Sequence, residues 1–176
     1  MCEPDNYYLE HQSINRSEDG KRTEIYLPPE WVEKRRIIME LSNEAYEKIQ
    51  LLCSEGDTLV EQNLFDQAIA RYLDALFLVP EPKTDWDTST WIYTALGDTC
   101  YLKVDYTQAV EYFYEALNCP EGITNPFILL RLGESFTELG EKDKAKEYLL
   151  RAYMLEGYGI FYDEDDKYLD VIKNEI

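Results

Sequence analysis

The sequence predicts an all-α fold in which three helix-turn-helix repeats stack into an α-solenoid. The first observation is a glycine that recurs inside apparent helices, at Gly56, Gly97 and Gly133. The second is that each glycine is followed by alanine 12 positions later and again 19 positions later. A large side chain always lies 16 positions after the glycine, as Tyr72, Phe113 or Leu149. Because glycine inside a helix costs roughly 1 kcal/mol relative to alanine, its return at fixed spacing indicates that two helices approach closely there.

The repeated pattern resembles the tetratricopeptide repeat, a helix-turn-helix unit of about 34 residues. The resemblance rests on Leu52-x-x-Glu55-Gly56, Tyr93-x-x-Leu96-Gly97 and Leu129-x-x-Leu132-Gly133. It implies repeats at residues 49–82, 90–123 and 126–159. The longer insertion between repeats, KTDWDTS, falls between the first two and carries Trp86.

The segments outside the repeats are interpreted separately. Residues 28–48 begin with Pro28-Pro29 and carry apolar residues at helical spacing, which predicts an amphipathic helix that packs onto the first repeat. Residues 160–176 are expected to form an acidic turn and a capping helix with a polar outer face. For residues 1–27, a short β-hairpin and a disordered tail both remain open.

Composition limits the classes of function. The formal net charge of −19 disfavours a nucleic-acid partner, because phosphates would be repelled. The sequence has no apolar run long enough for a membrane span and no signal-peptide layout at its start, so a cytoplasmic protein is expected. Its cysteines, Cys2, Cys53, Cys100 and Cys119, show no C-x-x-C spacing and are interpreted as reduced thiols.

The sequence contains no pattern that predicts a catalytic site or a metal-binding site. The single histidine is His11, so a multi-histidine metal site and histidine acid–base catalysis are excluded. No phosphate-binding loop, zinc-protease motif or nucleophile elbow is present. The acidic stretch YDEDDKY lacks the spacing of a calcium loop. We therefore expect no enzyme activity, no cofactor and no small-molecule substrate.

The resemblance also implies where a partner would bind. In tetratricopeptide-repeat proteins the first helix of each repeat lines a concave groove. Mapped onto this sequence, a column of three carboxylates would lie in the groove, flanked by aromatic rings: Asp57, Asp98 and Glu134, with Trp91, Tyr101 and Phe127. Trp86, in the insertion, is a further candidate contact. Because members that hold acidic peptides carry basic groove residues instead, this arrangement favours a cationic protein partner.

Two longer stretches resemble a more specific group of repeat proteins. The segment NPFILLRLGESFTELGEKDKAKEYLLRAYMLEGYGIFYDEDDKYLDVIK and the segment LPPEWVEKRRIIMELSNEAYE are similar to bacterial immunity proteins encoded beside polymorphic, Rhs-type toxins. The likeness spans residues 27–173. It implies a protein that binds and covers the basic toxin domain of its cognate effector.

Two alternatives remain open at the level of sequence. The stretch NPFILLRLGESFTELGEKDKA is also similar to the third repeat of type III secretion chaperones that hold hydrophobic translocators. Those chaperones are expected to have a mainly apolar groove, whereas this sequence predicts carboxylates. A general adaptor for protein interactions is the other alternative.

Overall fold

The computed structural model describes residues 41–176, and within this range the chain forms seven α-helices joined by short turns. The helices are α1 (Asn43–Glu61), α2 (Phe65–Leu78), α3 (Asp87–Leu102), α4 (Tyr106–Leu117), α5 (Pro126–Glu138), α6 (Lys142–Glu156) and α7 (Asp166–Ile172). Short 3₁₀ segments occur at Lys83–Asp85, Gly122–Thr124 and Gly157–Phe161.

Helices α1 to α6 pack as three consecutive pairs, and each pair is one predicted repeat. The repeated glycines lie where the two helices of a pair cross. A Cβ atom on Gly56 would lie 2.6 Å from the Tyr72 ring, and one on Gly97 would lie 2.7 Å from the Phe113 ring. At the third crossing, a Cβ on Gly133 would lie 2.5 Å from Leu149. Because carbon atoms in a close-packed interior do not approach so closely, the prediction that these glycines permit close helix contact is confirmed.

Helix α1 begins before residue 49, where the first repeat is predicted to start. Helix α1 starts at Asn43, after the N-cap Ser42, whose side-chain oxygen accepts a hydrogen bond from the Ala45 N–H at 3.2 Å. Such a cap satisfies an N–H group that has no partner inside the helix. The chain therefore has no helix break between residues 48 and 49. The rest of the helix expected over 28–48, and the hairpin or tail expected over 1–27, lie outside the described residues.

The C-terminal end of the solenoid is covered by α7, as predicted. The Asp165 side chain accepts a hydrogen bond from the Lys167 N–H at 3.0 Å, which caps the start of this helix. Tyr168 and Ile172 are buried against the last repeat, whereas Asp166 and Asp170 are exposed. Helix α7 thus buries an apolar face and leaves a polar face outside, which is what ends a stack of repeats.

The buried apolar residues form two clusters along the solenoid. One cluster joins the first repeat to α3, and the other joins the second and third repeats to α7. The insertion contributes directly to the first cluster, because Trp86 is only 8% exposed and packs with that core. No helix within residues 41–176 combines the length and the apolar character needed to cross a membrane.

Candidate functional site

A cavity of about 450 Å³ lies between the first helices of the three repeats. Its walls come mainly from α1 and α3, with the start of α5 and the turn at Pro120–Glu121 at one side. Four carboxylates line it: Asp57, Asp87, Asp98 and Glu121. None of its lining residues, all within residues 41–176, is a lysine or an arginine. We call this cavity the acidic pocket.

Local hydrogen bonds fix the walls of the acidic pocket. Asp57 accepts a hydrogen bond from the Tyr72 hydroxyl at 2.7 Å, which ties α1 to α2. The Thr90 hydroxyl donates to the Pro120 carbonyl at 2.9 Å and holds the turn against α3. The side chain of Asn125 accepts from the Phe127 N–H at 3.0 Å and caps the start of α5. The pocket is therefore built on hydrogen-bonded helices and a tethered turn.

Two aromatic rings add apolar surface to the acidic pocket. Trp91 is 46% exposed and Phe127 is 36% exposed, and both line the cavity. Burial raises the pKa of the nearby Cys53 thiol to about 12, with a smaller contribution from Asp57, so this thiol stays neutral. Among residues 41–176, no three or more His, Cys, Asp or Glu side chains are grouped to hold a metal ion. The pocket thus combines carboxylate charge with open aromatic surface.

Next to the acidic pocket, Arg131 gathers three carboxylates. Its Nε donates to Asp98 at 2.8 Å, and its Nη1 donates to Glu134 at 2.7 Å and to Glu164 at 3.2 Å. The guanidinium carbon also lies 4.7 Å from the Tyr101 ring centroid and 5.1 Å from that of Phe127. We call Arg131, Asp98, Glu134 and Glu164 the Arg131 cluster. It joins the second repeat, the third repeat and the C-terminal turn.

Burial dominates the electrostatics of the Arg131 cluster. The side chain of Glu134 is fully buried, and this burial raises its pKa to about 7 although Arg131 opposes the shift. Burial raises the pKa of Asp98 as well, again against the effect of Arg131. Burial also lowers the pKa of Arg131, but the carboxylates around it outweigh this and raise it overall. One permanent cation is therefore shared among three carboxylates.

Tyr101 is engaged in holding the cap. Its hydroxyl lies 2.7 Å from the Tyr168 hydroxyl, and Tyr168 in turn donates to Glu138 at 2.8 Å. Because Tyr168 donates its only proton to Glu138, the Tyr101 hydroxyl is the donor in their mutual bond. Lys167 also pairs with Glu138, at 2.7 Å. This chain of polar contacts attaches α7 to the first helices of the second and third repeats.

The structure brings together some of the residues predicted for the groove and separates others. Asp57, Asp98, Trp91 and Phe127 all line the acidic pocket. Tyr101, also predicted for the groove, does not line the pocket and instead contacts Tyr168 and Arg131. Two other expectations differ from the structure because the side chains are buried. Glu134 is fully buried in the Arg131 cluster, and Trp86 is buried in the core because the insertion folds inward. The predicted column is therefore not a row of three carboxylates facing solvent.

Arg131 is not among the site residues predicted from the sequence, although its spacing from two of them indicates a shared helix face. It lies four residues after Phe127 and three before Glu134, so all three share one face of α5. The sequence also places a cation beside a predicted column of acids. The contribution of Glu164 was not predictable in this way, because it depends on how the turn before α7 folds back.

Comparisons with known proteins agree with this architecture. The tetratricopeptide repeat family model matches residues 128–157, inside the third repeat. No curated protein matches the sequence. One solved structure that resembles the chain is the first tetratricopeptide-repeat domain of Spaghetti (RPAP3) bound to an HSP90 peptide. The TM-score is 0.60 and the sequence identity is 16%, and the match covers 73% of this chain and 94% of that one.

Two further solved structures have a similar fold. The Yersinia enterocolitica type III secretion chaperone SycD, in complex with a peptide of the translocator YopD, matches at a TM-score of 0.59 and 16% identity, over 77% of this chain and 95% of that one. A chain of the CopN–Scc3 complex matches at a TM-score of 0.56 and 18% identity, over 94% of this chain and 96% of that one. At such identities these matches concern the fold. The described residues therefore have the fold of a tetratricopeptide-repeat solenoid, with three helix pairs closed by a C-terminal helix.

Proposed function

We propose that this protein is a non-catalytic binding protein that takes a cationic surface of a partner protein into the acidic pocket. One observation carries the proposal: four carboxylates line the cavity and none of its described lining residues is a lysine or an arginine. Within residues 41–176, only Asp98 among the four forms an ion pair, with Arg131. A cationic partner would supply the missing positive charge and would be steered toward the cavity from a distance.

The aromatic rings support a protein as the partner. Trp91 and Phe127 keep substantial exposed surface at the pocket, and rigid aromatic rings are frequent energetic centres of protein interfaces. A polyanion such as a nucleic acid would meet the carboxylates of the pocket and the net charge of −19. The partner that fits is thus cationic and can cover an aromatic ring.

We further propose that the partner is the basic toxin domain of a cognate polymorphic effector, and that the protein is its immunity protein in the cytoplasm. The likeness of residues 27–173 to such immunity proteins supports this assignment. Toxin domains that act on nucleic acids are expected to be basic, since their substrates are polyanions. Covering such a surface would block the toxin stoichiometrically, without any reaction.

A type III secretion chaperone is the second candidate, because the chaperone SycD has a similar fold. A chaperone for a hydrophobic translocator needs a groove with mainly apolar contacts. The four carboxylates of the acidic pocket disfavour that ligand, because an apolar peptide would have to desolvate them without compensation. A general adaptor would share the fold but bind several unrelated partners.

The test is affinity capture of the tagged protein from its native bacterium, with identification of bound proteins by mass spectrometry. Recovery of a basic toxin domain supports the immunity proposal, and inhibition of that domain at one-to-one stoichiometry completes it. Recovery of a hydrophobic secreted protein would replace it with the chaperone function. Recovery of many unrelated proteins would replace it with a general adaptor.

A matched pair of variants tests the role of the acidic pocket. Asp57→Asn with Asp87→Asn removes two charges from the pocket, and asparagine at 57 can still accept the Tyr72 hydrogen bond. Glu111→Gln with Glu115→Gln removes the same charge from exposed positions on α4 outside the pocket. We expect the pocket variant to lower the association rate by at least about threefold more than the control at low salt. Equal rates for both variants would refute the pocket as the binding site.

A further inference from the structure

One pair of equivalent positions holds a cation at one junction between repeats and an alanine at the other. Alignment on the repeated glycines makes Arg131, two residues before Gly133, equivalent to Ala95, two residues before Gly97. The same alignment makes the carboxylates directly after each glycine equivalent: Asp57, Asp98 and Glu134. The second junction therefore has a guanidinium between its carboxylates, and the first has a methyl group.

At the second junction, Arg131 shows how this architecture binds a guanidinium. Asp98, on the preceding repeat, and Glu134, on its own helix, accept its hydrogen bonds at 2.8 and 2.7 Å. The guanidinium carbon also lies over the ring of Phe127, one turn earlier on the same helix, at 5.1 Å from the ring centroid. Tyr101 and Glu164 complete the arrangement, so the part that comes from equivalent positions of successive repeats is two carboxylates and the Phe127 ring.

The first junction repeats two carboxylates and one aromatic ring of these surroundings without the cation, whereas Val60 takes the place of Tyr101. Asp57 and Asp98 are the equivalent carboxylates, and Trp91 is equivalent to Phe127. All three line the acidic pocket together with Ala95. Because alanine replaces the long side chain, the space is open, as a cavity of about 450 Å³.

We infer that the acidic pocket is a binding site for an arginine side chain of the partner, with its guanidinium between Asp57 and Asp98 and its plane against Trp91. This inference rests on the proposed function and names the partner group that the pocket recognises. Arginine is favoured over lysine because its planar fork can pair with both carboxylates while it stacks on the indole ring.

Asp98 can serve both junctions. A carboxylate has two oxygens and about four acceptor positions, and Arg131 uses one hydrogen bond to Oδ1. Repulsion between an incoming guanidinium and Arg131 is offset, because Arg131 is itself surrounded by Asp98, Glu134 and Glu164. The incoming arginine therefore enters a region that stays negative after Arg131 is counted.

The test uses short peptides of known chemistry and the full-length protein. N-acetyl-Gly-Arg-Gly-amide is titrated at millimolar concentrations, and the Trp91 indole N–H is followed by NMR after its assignment with Trp91→Phe. The lysine peptide and the citrulline peptide serve as controls, since citrulline keeps the shape of arginine without its charge. We expect the arginine peptide to bind at least tenfold more tightly than citrulline and measurably more tightly than lysine.

Two variants make the assignment specific. Ala95→Arg restores the residue found at the second junction, so it should fill the pocket and reduce arginine-peptide binding at least tenfold while the helical content is kept. Asp57→Asn gives a second test that does not depend on folding of the filled variant, and it should also weaken binding. Equal binding of the arginine, lysine and citrulline peptides, or unchanged binding by Asp57→Asn, would overturn the inference.

The peptide test separates this inference from the proposed function. If a basic partner is captured but the arginine peptide does not move the Trp91 resonance, the arginine site is wrong and the proposed function stands. If the peptide binds as expected but capture recovers no basic protein, the arginine site stands and the proposed partner is wrong.

Discussion

Replacement of Arg131 by methionine removes the only cation from the Arg131 cluster and retains a long apolar side chain. Three carboxylates then lose their common partner, and one of them, Glu134, has a fully buried side chain. Asp98 and Glu164 retain some access to water, at 30% and 20% exposure, so their charges are partly solvated. The main cost of Arg131→Met is therefore the buried charge of Glu134.

The magnitude follows from what is known of broken buried ion pairs. Removing one partner of such a pair costs about 3–5 kcal/mol, because the remaining charge is uncompensated. Glu134 can escape part of this cost by binding a proton, and its pKa is raised to about 7 even with Arg131 present. We therefore expect a loss of about 3 kcal/mol in the free energy of unfolding at pH 8, and a smaller loss at pH 6.

Urea unfolding followed by circular dichroism at pH 6 and pH 8 measures this loss. Four proteins are compared: wild type, Arg131→Met, Glu134→Gln and the double variant. Because Glu134→Gln removes the stranded charge, the double variant should regain at least about 1 kcal/mol relative to Arg131→Met at pH 8. The single variant Glu134→Gln shows how much the neutral side chain itself changes stability.

Two results would refute this reasoning. A loss below about 0.5 kcal/mol for Arg131→Met at pH 8 would mean that the cluster contributes no more than an exposed ion pair. A loss that is the same at both pH values, with no recovery in the double variant, would mean that Glu134 is not the stranded charge.

Three further expectations concern stability. Gly97→Leu should cost about 3 kcal/mol or more, since even a Cβ atom would lie 2.7 Å from the Phe113 ring; an unchanged Tm in thermal unfolding would contradict the repeat alignment. The pKa of Glu134 is about 7 in the folded state, against an ordinary value of 4.5. Its contribution to the free energy of unfolding is therefore complete below about pH 4.5 and is lost as pH rises through 7. In urea titrations, the stability of wild type relative to Glu134→Gln should fall from pH 5 to pH 8. Tyr101→Phe should cost about 1 kcal/mol by breaking the bond to Tyr168, and an unchanged urea midpoint would show that this bond is not needed to hold α7.

The repeat architecture was predictable because packing at a helix crossing acts on individual residues. A glycine opposite Tyr72, Phe113 or Leu149 leaves a local pattern that recurs at fixed spacing. Helix α7 was predictable for a similar reason, since its buried residues, Tyr168 and Ile172, lie one turn apart.

The candidate site was predictable only in part. Asp57, Asp98 and Trp91 line the acidic pocket, because their positions follow from the repeat alignment. The burial of Glu134 depends on Arg131 and on Glu164, which lies 33 residues after Arg131 and reaches it through the turn before α7. The position of Trp86 depends on how the insertion folds back onto the core. Neither arrangement follows from helical spacing, since both depend on the path of a connecting segment.

The unequal junctions have a consequence for how dissolved salt affects the molecule. The second junction contains its own counterion in Arg131, whereas the carboxylates Asp57, Asp87 and Glu121 at the first line one open cavity that has no lysine or arginine in its described walls. Mobile cations can screen that repulsion in the free protein, so moderate salt should raise its melting temperature. The same cations would compete with a cationic partner for the pocket. Salt is therefore expected to act in opposite directions on folding and on binding.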